Sequence, residues 1–259
     1  MNLLMIGDIV GKPGRKAVKE HLPTIQKEYN ISFTIANGEN AAGGRGLTRD
    51  IKDELIFAGI DVITMGNHVW DNKDILNFVD DEPRVIRPAN YPSPCPGQGY
   101  HIFIAGFNYK IAVINASGRV FMPAMDCPFQ TVEKIVDEVK GNADIIIVDF
   151  HAEATSEKLA LAHYLDGKVS AVAGTHTHIQ TADEKILPAG TGYISDLGMT
   201  GPSNSILGMD KENVIKKFIS CRPARFEVAT GPVQFEGLVI SIDEKSFKTT
   251  EVKRISRKA

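Results

Sequence analysis

Apolar residues recur along this chain in short runs that alternate with segments of helical period, the pattern of strands followed by helices. Residues 3–7 form the first run, a turn with Gly11 and Pro13 follows, and Val18, Leu22 and Ile25 then recur at spacings of four and three. This predicts a strand–turn–helix unit. Pro13 suits the first helical turn, where its missing N–H is not needed, and Pro23 is expected to kink or divide the helix. Residues 31–36 are the second predicted strand. Thr48 is placed to cap a helix through Ala58, with Ile51, Leu55 and Ala58 on one face, and Gly59 ends it before a third strand at 62–65.

Residues 71–79 carry a helical pattern, whereas Pro83, Pro88, Pro92, Pro94 and Pro96 exclude regular structure from a loop or insertion at about 83–100. Residues 101–105 and 111–115 read as a hairpin turning at 106–110. An amphipathic helix at 131–139 follows, with Val132, Ile135, Val136 and Val139 inward. The continuous apolar runs at 145–148 and 169–173 are of the kind buried on both faces, with a helix at 156–165 between them and another short strand at 192–195. The last third changes character: 233–242 and 247–252 flank Asp243-Glu244-Lys245-Ser246 as an antiparallel hairpin, and a basic, frayed end is expected from Arg254 to Ala259. No internal repeat is visible.

At 259 residues the chain can bury a full core, so one domain over 1–259 is expected. A net charge of −3, with both signs interspersed, gives no broad positive field and argues against long nucleic acid as a partner. Cys95, Cys127 and Cys221 are odd in number and lack Cys-x-x-Cys spacing, which argues against a disulfide framework or a thiolate zinc site and for a cytoplasmic setting. The apolar start lacks a basic segment and a cleavage site, and no run reaches about 18 apolar residues, so neither a signal peptide nor a membrane partner is expected.

Potential metal donors collect where the predicted strands end. Asp8 follows the first run, Glu39 and Asn40 the second, and Asn67 and His68 sit in Gly66-Asn67-His68 after the third. His151 follows 145–150, and His176 and His178 follow 169–174. Imidazole nitrogen with carboxylate and carboxamide oxygen suits Fe, Mn and Zn, and seven donors besides His68 are too many for one ion. Each has a plainer reading: Asp8 as a helix cap, Glu39 and Asn40 as a polar turn before the glycines of 43–46, the histidines as core or surface residues. His176 and His178, two apart in an extended stretch, would project from one side, which favours the metal reading.

Glu39, with two oxygens, is the candidate to bridge two ions, and His68 the candidate general acid. Arg45 either contacts a phosphate or is solvated. Asp149 and Glu153 are either acceptors for the His151 ring or solvated carboxylates, and Asp71 and Asp196 read as structural caps. His21, His101 and His163 read as structural or surface residues, and the stretch with Tyr91 and residues 196–202 as loops or pocket walls. A phosphate loop is disfavoured, because Gly7 to Gly11-Lys12 is one residue short of the Walker spacing and Pro13 replaces the required Ser or Thr.

The order Asp8, Gly38-Glu39-Asn40, Gly66-Asn67-His68, His151 and Gly174-Thr175-His176-Thr177-His178 resembles the calcineurin-like metallophosphoesterases, and more closely their YmdB-like bacterial branch, over nearly the whole chain. The superfamily usually opens with Asp-x-His and has Gly-Asp in its second block, where this chain has Val10 and Glu39. The resemblance implies that Asn40 replaces the missing histidine. By the same resemblance Asp8, Glu39, Asn40 and His178 hold one metal, while Glu39, Asn67, His151 and His176 hold the other. It further implies an α/β fold, a four-layer αββα sandwich of two mixed sheets flanked by helices, phosphodiesterase activity on 2′,3′- or 3′,5′-cyclic nucleotides, and a homo-oligomer.

The expected enzyme is thus a dinuclear phosphoric diester hydrolase acting on a small phosphodiester. Two transition-metal ions, Fe preferred and Mn or Zn as alternatives, lie about 3.5 to 4 Å apart and share Glu39 and a bridging hydroxide that attacks phosphorus. His68 acts as acid or charge stabiliser. The competing readings are a phosphomonoesterase or nucleotidase, and a regulatory nucleotide-binding protein of slow turnover.

Overall fold

The computed structural model describes residues 1–106 and 108–258; Phe107, in the predicted hairpin turn, and Ala259, at the predicted basic end, lie outside the described residues. In chain order the elements are β1 (Asn2–Ile6), β2 (Asp8–Ile9), α1 (Gly11–Glu28), β3 (Ile31–Asn37), α2 (Arg49–Phe57), β4 (Val62–Thr64), β5 (Val85–Ile86), β6 (Tyr100–Ala105), β7 (Tyr109–Ser117), α3 (Pro128–Val139), β8 (Ile145–His151), α4 (Thr155–Tyr164), β9 (Ala171–Thr175), β10 (Lys185–Ile186), β11 (Gly192–Ile194), β12 (Met199–Pro202), α5 (Lys211–Ser220), β13 (Val233–Ile242) and β14 (Thr249–Lys258).

They form two mixed sheets. The first has the order β2-β12-β13-β1-β3-β4-β5, with β14 along the other edge of β13, and the second runs β10-β11-β9-β8-β7-β6. Within the first, β1, β3, β4 and β5 are parallel; within the second, β7, β8, β9 and β11 are parallel, with antiparallel β6 and β10 at the edges.

The period of two along each strand divides the apolar residues among three cores. On β1, Leu3 and Met5 face the second sheet while Leu4 and Ile6 join Val18, Leu22 and Ile25 of α1. On β8, Ile145 and Ile147 face the first sheet while Ile146 and Val148 join Val132 and Ile135 of α3 and Leu161 of α4. The result is the αββα order of layers, and it explains why the runs at 145–148 and 169–173 are apolar without alternation: both faces are covered. Among the described residues no helix is long and apolar enough to cross a membrane.

Most predicted elements appear within a few residues of their expected ends, including the Thr48 cap, whose hydroxyl accepts the Ile51 N–H at 3.3 Å. Four expectations change. Helix α1 runs undivided through Pro23, because Leu22 and Ile25 on either side are both packed into the same core. Of 71–79 only Lys73–Asn77 winds, as a 3₁₀ turn, with the Asn72 carboxamide capping the Asp74 N–H and the Asp74 carboxylate accepting the Arg49 N–H. The proline-rich segment contributes the two-residue strand β5. The basic end is strand and not frayed: β14 pairs with β13 as far as Gln234 opposite Lys258, its charged side chains facing solvent while Ile255 is buried.

Ile147 is fully buried between the sheets. Ile147→Ala is expected to lower stability by about 2 to 5 kcal/mol through lost burial and a residual cavity. Urea unfolding checks it: the midpoint should fall with little change in the slope.

Candidate metal centre

The parallel strands of both sheets end at one edge, where backbone and side chains leave the ladders. The first sheet delivers Asp8 after β1, Glu39 and Asn40 after β3 and Asn67 and His68 after β4, and the second delivers His151 at the end of β8 and His176 and His178 after β9. The chain's close approach at this edge dictates the glycines of both motifs. A Cβ on Gly66 would collide with the Glu39 carboxylate and the His151 ring, and one on Gly174 with the Ser195 carbonyl.

His151 Nε2 is the focus of one group of donors. Asn67 Oδ1 lies 3.0 Å from it, His176 Nδ1 3.0 Å and Glu39 Oε1 3.1 Å. Atoms bound to one ion at about 2.1 Å sit about 3 Å apart, so this spacing is that of a shared coordination sphere. Asp8 also faces imidazole nitrogen. His178 Nε2 lies 3.8 Å from Asp8 Oδ1, while the buried oxygens Asp8 Oδ1 and Asn40 Oδ1 have no hydrogen-bond partner among the described residues. The orphaned Asp8 oxygen facing imidazole nitrogen, with a second orphaned oxygen on Asn40, fits a cation, and the donor set of carboxylate, carboxamide and imidazole fits a transition metal.

Each histidine is aimed by what its other nitrogen meets. His151 Nδ1 is 2.9 Å from Thr175 Oγ1, whose own proton goes to Asp149 Oδ1 at 2.7 Å, so Nδ1 donates and Nε2 presents its lone pair. His176 Nε2 faces Glu153 at 3.2 Å, leaving Nδ1 for the site, and His178 Nδ1 donates to the Leu207 carbonyl at 3.1 Å, leaving Nε2. Asp149 thus serves His151 through Thr175, and Glu153 serves His176 instead of His151.

Strand β9 stops at Thr175, so His176 and His178 are not on one side of an extended stretch. Both have left-handed backbone, with φ of 104° and 64°. Asp8 Oδ2 accepts the His176 N–H at 3.2 Å and Asp196 Oδ2 the Thr177 N–H at 3.0 Å, which fixes this turn. Asp196 is no simple cap: it is buried in an ion pair with Lys158 Nζ at 2.7 Å and also accepts the Gly198 N–H. Lys158 is not visible as a site residue in the sequence; only its burial reveals it. Asp71 likewise orients His68, with Oδ2 at 2.9 Å from Nδ1, while the His68 N–H donates to Glu39 Oε2 at 2.8 Å.

The electrostatics without cations is that of a site short of positive charge. Burial pushes Asp8 up to about 6 against the pull of His178 and His151. Burial also acts to raise Glu39, but the His151 charge and hydrogen bond outweigh it and hold the carboxyl down at about 2. Burial acts to lower His151, yet Glu39 and then Asp8 hold it up at about 9, and burial together with the charge of His151 pushes His176 down to about 3. A proton on His151 therefore does part of a cation's work, and a metal held there would displace it.

A cavity of about 480 Å³ opens over the donors, lined by Glu39, Asn40, His68, His176, His178 and Arg45 on one side. A roomier one of about 730 Å³, between the start of α1 and residues 225–231, contains none of the predicted donors. Residues 206–209 and α5 form the far wall of the site cavity; among the described residues neither Tyr91 nor 196–202 lines it, so the pocket-wall alternative falls for both stretches, and 199–202 is strand β12 and not loop.

The chain matches the family model described as YmdB-like protein over residues 4–255. It is 52% identical over 255 residues to the 2′,3′-cyclic-nucleotide 2′-phosphodiesterase of Bacillus subtilis (strain 168), covering 98% of this chain and 96% of that one. A crystal structure of a hypothetical protein from Thermus thermophilus superposes with a TM-score of 0.94 at 41% identity, covering 100% of this chain and 99% of the other. A crystal structure of a novel phosphatase from Mycoplasma pneumoniae gives 0.93 at 34% identity, with 100% and 93% covered. Fold, strand-end donors and full-length similarity agree, and the chain belongs to the YmdB-like family.

Proposed function

We propose that this protein is a metal-dependent phosphodiesterase that hydrolyses 2′,3′-cyclic nucleotides. The convergence of Glu39, Asn67 and His176 on His151 Nε2 carries this reading, and the orphaned oxygens of Asp8 and Asn40 support it. The activity named for the Bacillus subtilis relative supports the substrate class. Glu39, Asn67, His151 and His176 would hold one ion and Asp8, Glu39, Asn40 and His178 the other, with Fe or Mn preferred because the set mixes nitrogen and oxygen without sulfur. Bound there, such ions supply acidified water and positive charge against the phosphoryl oxygens.

The chain's own groups supply the rest. His68 Nδ1 is held by the Asp71 carboxylate, so it is Nδ1 that donates and Nε2 that remains for substrate. Opening a cyclic phosphodiester leaves an alkoxide oxygen that needs a proton, and a protonated His68 gives it from Nε2. Arg45, whose side chain is largely exposed and 3.9 Å from Asp71, can swing over the cavity to a non-bridging phosphoryl oxygen.

His68→Ala is expected to lower kcat by about 10² to 10⁴ with both metals retained by elemental analysis. Loss of metal in that variant overturns its role. Glu39→Ala should lose metal and activity together. Thr175→Val breaks the relay from His151 to Asp149, and titration with Mn²⁺ should show affinity about 10- to 100-fold weaker. A panel on metal-loaded protein tests the substrate class: 2′,3′-cyclic nucleotides should be hydrolysed in preference to 3′,5′-cyclic nucleotides and to nucleoside monophosphates, with chelator abolishing turnover. Faster hydrolysis of the monoesters would replace this reading with a phosphatase.

A further inference from the structure

The site cavity has two walls of opposite chemistry. The donors and Arg45 form one; Ile206, Leu207, Met209, Val214, Phe218 and Phe226, with Lys217 among them, form the other. The apolar wall is tied to the candidate metal centre, because Leu207, which helps form it, is also the residue whose carbonyl aims His178. Val214 is buried and anchors α5, yet Phe218 one turn later is 78% exposed. Phe226 is half-buried, with Lys217 Nζ 4.8 Å from its ring centroid. A phosphodiester group alone has nothing apolar to set against such a wall, whereas a nucleoside carries a flat aromatic base a few ångströms from its phosphate.

We propose that Phe218 and Phe226 form the nucleobase subsite of this enzyme, taking the base by stacking while the phosphodiester lies over the donors. The proposal rests on the phosphodiesterase reading above. These six apolar residues offer the base their faces, and the one charged side chain among them, Lys217, is held against the Phe226 ring. Purines should therefore be accepted ahead of the smaller pyrimidines, as expected where stacking area decides. The site cavity of about 480 Å³ is of the size that holds small cofactors and nucleotides.

The test compares adenosine 2′,3′-cyclic phosphate with ribose 2′,3′-cyclic phosphate, which lacks the base, on metal-loaded full-length protein. The readout is the ratio of their kcat/KM values. Phe218→Ala and Phe226→Ala are each expected to reduce that ratio by about 5- to 100-fold, the usual weight of one base–aromatic stack, and Phe218→Trp to preserve it. Calorimetry of adenosine 3′-phosphate binding should show a parallel weakening in the two alanine variants. An unchanged ratio in both overturns the subsite while leaving the phosphodiesterase reading in place. If the wild-type protein hydrolyses neither ester, the phosphodiesterase reading fails and the subsite with it. If Phe218→Ala disperses a wild-type oligomer in sedimentation and the ratio stays unchanged, the face belongs to a second copy and the proposal falls.

Discussion

The constraint on which this structure depends is a concentration of buried carboxylates and imidazoles that cannot be satisfied by one another. Asp8 and Glu39 are both buried, their neighbours include three imidazoles, and one Asp8 oxygen is left without a partner among the described residues. Isolated burial of such charge is costly, and the proteins that tolerate it do so by pairing or by metal. In this chain half of the remedy is internal, since the Glu39 and Asp8 carboxylates favour the charged form of His151. The other half is a cradle of correctly aimed lone pairs.

That cradle exists because two sheets end together. The oxygen donors come from the first sheet and the nitrogen donors from the second, so Glu39 meets His151 only when the sheets are seated face to face. Beneath the donors, Asn37 and Thr64 of the first sheet reach the Asp149 carboxylate of the second, and Thr175 completes the set. In the second sheet, His151 stands opposite Thr175 across the β8–β9 pair, and one residue of slip would turn the hydroxyl to the other face. The apolar core between the sheets and the polar relay at their edge fix the same registry.

Much of this is legible in the sequence. Apolar runs ending in Asp, Glu-Asn, Asn-His and His mark strands whose ends carry donors, since the strand supplies period two and the donor breaks it. Strands β2, β5 and β10, of two residues each, are too short to have a period. Helix α5 escapes such a reading because Ile215, Phe218 and Ile219 form a helical stripe that faces outward, which contradicts the usual inference from such a stripe to a core. The supports of the site are the least visible. Lys158 and Asp196 are 38 residues apart and meet only in the folded chain, and Asp71 looks like any helix cap until His68 is seen against it.

The division of donors between the sheets has a mechanical consequence. An ion held by Glu39 and Asn67 from one layer and by His151 and His176 from the other, as proposed, would be a reversible cross-link between the halves of the sandwich. Its binding energy would then resist any motion that opens the inter-sheet seam, and thermal resistance would rise with the logarithm of free metal once its concentration exceeds the dissociation constant. Metal scarcity in such a protein would loosen the body and silence the chemistry in one stroke.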